Sequence, residues 1–349
     1  SKKRTTKRSA ALRKYVVANV DEHSHDIAKC VAEKFGISRQ AANRHLREFT
    51  RTGGLQAHGT TRSRRYKLAP LTETGFTVKL HDLHEDAVWR DQVEPALRAA
   101  GPPLPKNVDH ALYYGFTEIL NNAIDHSGGE EAFITVEVTM ASVTLVISDD
   151  GVGIFEHIKE RCALENEQHA ALELSKGRLT TDAARHTGEG IFFTSRALDR
   201  LSIASGNVAL VCSERQNWVF TDNSNTKPGS FVLLKLSTSS KVNLTSVFDK
   251  YADESRGIVK TLIPVSLARY GRENLVSRSQ AKRLLARVDS FDEVMFDFTG
   301  VRSIGRAFAD EIFRVFARSH PKTTLLWVHG GAKVHEMIMG AKAARENEK

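Results

Sequence analysis

Cysteine is scarce. The 349 residues contain three, Cys30, Cys162 and Cys212, scattered without the paired spacing of a disulfide framework or a zinc knuckle. That pattern argues against both and points to a reducing, cytoplasmic compartment. The histidines follow no metal motif either. No apolar run approaches the roughly 18 residues that span a bilayer, so no membrane association is expected. The basic start of the chain lacks a following apolar stretch and does not read as a secretory signal. What is left is ordinary globular composition, 41% apolar and 26% charged, in a length that suits two or three domains.

Positive charge is not scarce, but it is unevenly spread. Residues 1–70 hold 17 Lys and Arg against 5 Asp and Glu, a balance of +12, whereas the remainder balances at −4. A polyanion-binding module joined to a near-neutral body would produce that asymmetry.

The body carries three short blocks. The first is Glu118-Ile-Leu-Asn-Asn122-Ala-Ile-Asp-His126. Leu112, Phe116, Ile119, Leu120, Ala123 and Ile124 recur around it at helical spacing, which predicts a helix over 108–126. Glu118 and Asn122 are four apart and share a face. A carboxylate beside a carboxamide suits Mg²⁺, which takes a few oxygen ligands and fills the rest with water and phosphates. Alone, the block reads equally as an amphipathic helix with its polar face in water. The second block, Asp149-Asp-Gly151-Val-Gly153-Ile154, ends two runs that read as strands, 133–138 and 143–148. Asp-Gly is also a strong hairpin dipeptide, but the Ile-Phe-Glu-His that follows does not suit a hairpin. The third, Thr187-Gly188-Glu-Gly190-Ile191, opens a predicted helix from Gly190. Backbone N–H groups and the helix dipole favour an anion there.

In this order the blocks resemble the ATP-binding domain of the GHKL superfamily, most closely the anti-sigma-factor serine kinases. The resemblance covers about 80–236 and ends on the strand after Lys227-Pro-Gly229. It implies ATP and Mg²⁺ as cofactors. Asn122 would ligate Mg²⁺ and Glu118 would polarise the attacking water or hydroxyl. Asp149 would accept from the adenine amino group, with Gly151 and Gly153 letting the backbone approach the base. Thr187, Gly188 and Gly190 would meet the phosphates. The stretch 155–186 would be a mobile lid, with Lys176, Arg178 and Arg185 as candidates to reach a γ-phosphate.

Helices are expected at 9–20, 25–35 and 39–52, the last capped by Ser38. A hairpin then follows from Leu55-Gln-Ala-His and Arg65-Tyr-Lys-Leu. This order resembles a winged helix-turn-helix domain. The outward face of the third helix offers Arg39, Gln40, Asn43, Arg44 and Arg47 to a major groove, with Arg39 and Asn43 as candidate base readers. Arg62, Arg64 and Arg65 in the wing would meet phosphates or a minor groove. The same fold could instead serve a protein contact.

Beyond a Ser/Thr-rich linker after Leu236, strands and helices alternate, which predicts an α/β layer. The stretch from Phe296 to Phe313 resembles a STAS-like domain. That family's substrate serine would fall near Gly305-Arg306-Ala307, where no hydroxyl stands; Ser303 is the nearest. A docking role for a protein partner is expected in its place.

The whole reads as an α+β multidomain chain. A winged helix-turn-helix (1–70) precedes a GHKL two-layer α/β sandwich (71–237) and a STAS-like α/β domain (245–349). The function expected is a transcription regulator that binds double-stranded DNA. Mg-ATP, with weak hydrolysis, would control its conformation or homodimerisation. The alternative is a protein serine kinase acting on a STAS-type partner.

Overall fold

The computed structural model describes residues 2–60, 63–179, 188–214, 217–222, 227–253, 255–270 and 273–347. The chain opens with α1 (Lys2–Asn19), α2 (Ile27–Phe35) and α3 (Arg39–Arg51), followed by the antiparallel hairpin β1 (Leu55–His58) and β2 (Arg65–Leu68). The helically spaced Leu12, Val16, Ile27, Val31, Ala42, Leu46 and Phe49 form one core, which Tyr66 and Leu68 close from the hairpin. Ser38 caps α3 by accepting the Ala41 N–H at 3.2 Å. α1 starts well ahead of the expected Ser9. The polar run before it contains no helix breaker, and Arg8 donates to the Phe35 carbonyl at 2.6 Å.

The central region begins with β3 (Thr72–Lys79) and a helical stretch made of α4 (Glu85–Val88), a π-helical turn and α5 (Glu94–Ala99). α6 (Lys106–His126) follows, then β4 (Glu131–Val138), β5 (Ser142–Asp149), α7 (Ile154–Arg161), α8 (Glu167–Lys176) and α9 (Gly190–Ala197). β6 (Arg200–Ser205), β7 (Val208–Ser213), β8 (Asn217–Asp222) and β9 (Ser230–Ser237) complete it. The strands make one seven-stranded sheet in the order β3-β4-β5-β9-β6-β7-β8, with every neighbouring pair antiparallel. One face carries the helices. α6 buries Leu112, Phe116, Ile119, Leu120 and Ala123 against Ile134, Leu145, Leu234 and their neighbours. This is the expected two-layer sandwich.

The third region holds α10 (Leu244–Tyr251), the short pair β10 (Ala252–Asp253) and β11 (Gly257–Ile258), then β12 (Lys260–Pro264), α11 (Arg278–Leu285) and β13 (Glu293–Asp297). α12 (Arg306–Asp310), a π-helical turn, α13 (Ala317–Ser319), β14 (Thr324–Val328) and α14 (Ala332–Asn347) end it. β12, β13 and β14 form a parallel sheet in that order, as expected of a βαβ alternation.

The segment after Leu236 is not a free tether. The Asn107 amide donates to the carbonyls of Ser240 at 2.8 Å and Val242 at 3.0 Å. α10 lies on the central helices, its Phe248 ring edge-on to Phe193 (4.6 Å) and Tyr114 (5.4 Å). α10, the first helix after the break drawn at 237–245, thus joins the C-terminal region to the central one. Asn107→Ala removes the donor of both bonds and should lower stability by about 1–3 kcal/mol. Denaturant unfolding followed by intrinsic fluorescence checks this; an unchanged midpoint would show that the crossing does not depend on Asn107.

Candidate functional site

β5 delivers Asp149 to the edge of the helix layer, where β9 completes its environment. One carboxylate oxygen accepts the N–H of Gly151 at 3.0 Å and of Ser230 at 3.2 Å. The side chain is buried, and burial raises its pKa above the ordinary aspartate value despite these bonds. The Ser230 hydroxyl meanwhile accepts the Ile154 N–H at 3.0 Å, fixing the start of α7. Neither serine contact was legible in the sequence, because Ser230 reaches Asp149 only through the pairing of β5 with β9.

A cavity opens beside this carboxylate. Ile119, Asn122, Ala123 and His126 line it from α6, Asp149 and Ile147 from β5, and Gly188 and Ile191 from the third block. Ser127, His157 and Ser230, which the sequence did not single out, line it too. Burial, and then Arg161, lowers the His157 pKa. The His126 and His157 rings stand 5.9 Å apart.

Asn122, Asp149 and Gly188 are thus brought to one cavity. Glu118 is not among its lining residues. It lies half-buried one turn before Asn122, against the start of α9, where a Cβ on Gly190 would collide with its carboxylate. Gly151 is constrained similarly: a Cβ there would strike the Ser127 carbonyl. Gly153 (φ 97°) and Gly188 (φ 69°) take left-handed backbone, which glycine adopts without strain. Thr187 lies outside the described residues, as do Arg185 and Arg62. Asp150 is exposed and holds the start of β4 by accepting the N–H groups of Glu130 (2.8 Å) and Glu131 (3.0 Å).

Residues 155–179 are the described part of the stretch expected to form a mobile lid. α7 and α8 are ordered helices, and α8 is buried from His169 to Lys176. Ala170, Ala171 and Leu172 have no exposed surface, because the helix is wedged between the central sheet and the C-terminal region. Lys176 is 1% exposed. It and Arg178 both donate to backbone carbonyls of the C-terminal region. Neither lines the cavity.

A second candidate surface is the outward side of α3. Arg39, Gln40, Arg44 and Arg47 are exposed and Asn43 is half-buried. Arg64 and Arg65 are exposed beside it on the hairpin. The Tyr66 N–H donates to the Ser24 carbonyl at 2.9 Å, pinning that hairpin to the loop before α2. On that loop and the first turn of α2, His23, Asp26 and Cys30 bring donor atoms within 4.8 Å of one another. Hydrogen bonds link Asp26 to both partners.

Residues 107–240 match the family model of the histidine kinase-, DNA gyrase B- and HSP90-like ATPases. Residues 280–331 match that of a STAS-like domain of unknown function. The chain therefore carries a GHKL-type ATPase domain followed by a STAS-like domain, behind an N-terminal helical region. Such an ATPase domain implies a nucleotide site, ordinarily used with Mg²⁺. No curated protein matches the sequence. No described helix is long and apolar enough to cross a membrane.

The raised pKa of Asp149 fixes the sign of one prediction. A carboxylate whose folded pKa lies above its unfolded value destabilises the fold at higher pH. That penalty is full above the folded pKa and absent below the unfolded one. Asp149→Asn keeps the acceptor oxygen and removes the charge. It should therefore be as stable as wild type or more so at pH 7, with the difference shrinking as pH falls through the folded pKa. Thermal unfolding of both proteins between pH 3.5 and 8 checks this, and a less stable variant at pH 7 would contradict it.

Proposed function

We propose that this chain is an ATP-responsive, DNA-binding transcription regulator. One observation carries the reading: a module with a balance of +12 precedes a GHKL-type ATPase domain in the same chain and rests on that domain's sheet. Asp21, before α2, pairs with Lys235 of β9 at 2.5 Å, and Ala141 packs against the N-terminal core. The strand that supplies Ser230 to the pocket thus also supplies Lys235 to the basic module.

The residues fit Mg-ATP. Asp149, buried and with its raised pKa, suits an adenine amino group, which donates a hydrogen bond to an acceptor held in a dry site. Asn122 on the cavity wall would hold Mg²⁺, and Gly188 and Gly190 at the start of α9 would hold phosphates through backbone N–H groups. Thr187 is the remaining proposed contact. Mg²⁺, when bound, neutralises phosphate charge. Glu118, half-buried at the start of α9, would orient a water for slow hydrolysis. Burial, followed by the charges of Glu118 and Glu189, raises the pKa of the neighbouring Tyr114 phenol.

On the DNA side, α3 would lie in a major groove. Arg39 and Asn43 would read bases, and Gln40, Arg44, Arg47, Arg64, Arg65 and Arg62 would hold phosphates or edges. ATP can act on such binding only if it has different affinities for two states of the chain. A nucleotide-dependent homodimer, presenting two copies of α3 to a two-fold site, would be one such state.

Binding of the full chain to its own upstream DNA, with no nucleotide, Mg-ADP or Mg-ATP at two salt concentrations, tests the reading. A specific complex whose affinity changes with ATP is expected. Weak, salt-sensitive binding indifferent to nucleotide would sink it and turn attention to serine-kinase activity on a STAS-type partner. In the same assay Asp149→Asn should lose nucleotide binding and the ATP effect but keep the nucleotide-free DNA affinity. Retained ATP affinity would remove Asp149 from the adenine site. Glu118→Ala should bind ATP and lose turnover; undiminished hydrolysis would show that Glu118 does not activate the nucleophile.

A further inference from the structure

One wall of the cavity, Leu174, Leu179, Gly188 and Ile191, is built from chain that is fastened on its other side to the C-terminal region. The Lys176 ammonium pairs with Glu173 at 2.5 Å. It also donates to the carbonyls of Ala286 at 2.9 Å and Arg283 at 3.4 Å. These carbonyls end α11, where the helix dipole favours a cation. Thr261, on β12, donates to the Lys176 carbonyl at 2.7 Å. Arg178 donates to the carbonyls of Ser290 at 2.6 Å and Arg256 at 3.1 Å, and Arg287 donates back to the Arg178 carbonyl at 2.5 Å. Across the wall, the Glu189 carboxylate accepts the Ile258 N–H at 2.7 Å. It lies so close to Gly257 that a Cβ there would collide with it.

Apart from Glu173, every one of these partners falls within residues 256–290. Lys176, Arg178 and Glu189 themselves line no part of the cavity. The bonds are also costly to break. Lys176 is buried, so withdrawing the end of α11 would leave an ammonium in the interior with fewer acceptors than its protons require. The two regions are therefore joined by specific charge-assisted bonds and not only by a sliding apolar contact.

We infer that the C-terminal region positions the nucleotide pocket: through Lys176, Arg178 and Glu189, residues 256–290 hold the cavity wall, so that nucleotide affinity depends on groups that touch no nucleotide. The inference rests on the proposed ATP reading of the cavity. Linkage makes the coupling reciprocal. A partner that shifts residues 256–290 changes ATP affinity, and ATP stabilises those residues by the same factor.

The test uses the full chain and a fluorescent ATP analogue with Mg²⁺. Arg178→Ala and Glu189→Ala break the attachment from the pocket side, and Gly257→Ala breaks it from the C-terminal side. Each should weaken binding by roughly fivefold or more. Glu189→Gln, whose amide oxygen still accepts, should bind like wild type. In the wild-type chain the analogue should slow hydrogen exchange at the Ile258 amide, a change that a merely structural role would not produce. Wild-type affinity in folded Arg178→Ala and Gly257→Ala chains, with no nucleotide effect on Ile258 exchange, would overturn the inference. A wild-type chain that does not bind the analogue would instead bring down the ATP reading, and this inference with it.

Discussion

The pocket depends on a buried carboxylate that cannot be satisfied by its own strand. Asp149 sits at the end of β5 and receives one of its two backbone donors from Ser230, which is distant in sequence and reaches it because β9 is inserted between β5 and β6. A buried anion without such donors would be too costly to keep. The sheet order is therefore a condition of the site and not merely its background. The same insertion places the Ser230 hydroxyl on the Ile154 N–H, so one residue of β9 fixes both the acidic group and the helix that walls the cavity beside it.

This constraint also explains how three regions come to bear on one site. β9 continues from Ser230 to Lys235, whose ammonium meets Asp21 of the N-terminal region. That pair is partly exposed and would add little stability by itself, but it sets where the basic module rests. The C-terminal region is attached far more strongly, through the buried Lys176 and the aromatic contacts of Phe248. A change at the pocket would thus reach the C-terminal region through stiff contacts and the N-terminal region through soft ones.

Much of this was legible in the sequence, and what was missed shares one physical cause. Periodicity over 108–126 located α6, and the alternation before Asp149 located β4 and β5, because in both cases a single face is buried. Ser38 marked the start of α3 through its own side chain. The STAS-like strands and helices were equally readable. What could not be read was anything decided by partners distant in the chain. Ser230 lies at a strand start with nothing local to mark it. Glu189 stands between two glycines with nothing local to mark its partner, the Ile258 N–H. The same holds in α8. Lys176 read as a cation able to reach a γ-phosphate, whereas Glu173 and the distant carbonyls of Arg283 and Ala286 are the acceptors that let it be buried.

The placement of Lys176 and Arg178 has a chemical consequence. Phosphoryl transfer to a protein hydroxyl depends on cations placed around the transferring group. Two of the three cations that the sequence offered for that purpose, Lys176 and Arg178, are committed to carbonyls of residues 256–290. Among the described residues, the phosphate end of the proposed site is left with backbone N–H groups at the start of α9 and the metal that Asn122 would hold. Such an arrangement favours holding a nucleotide over transferring its phosphate, because N–H dipoles bind ground-state anions well but supply less charge than a lysine or arginine to a dissociating phosphoryl group. The STAS-like region further lacks a hydroxyl at Gly305-Arg306-Ala307, and the exposed Ser303 precedes that turn. A pocket that bound firmly, turned over slowly and was braced by the C-terminal region would have the properties of the proposed switch. A freely turning kinase would need those lysine and arginine side chains released from the structural bonds that now hold them.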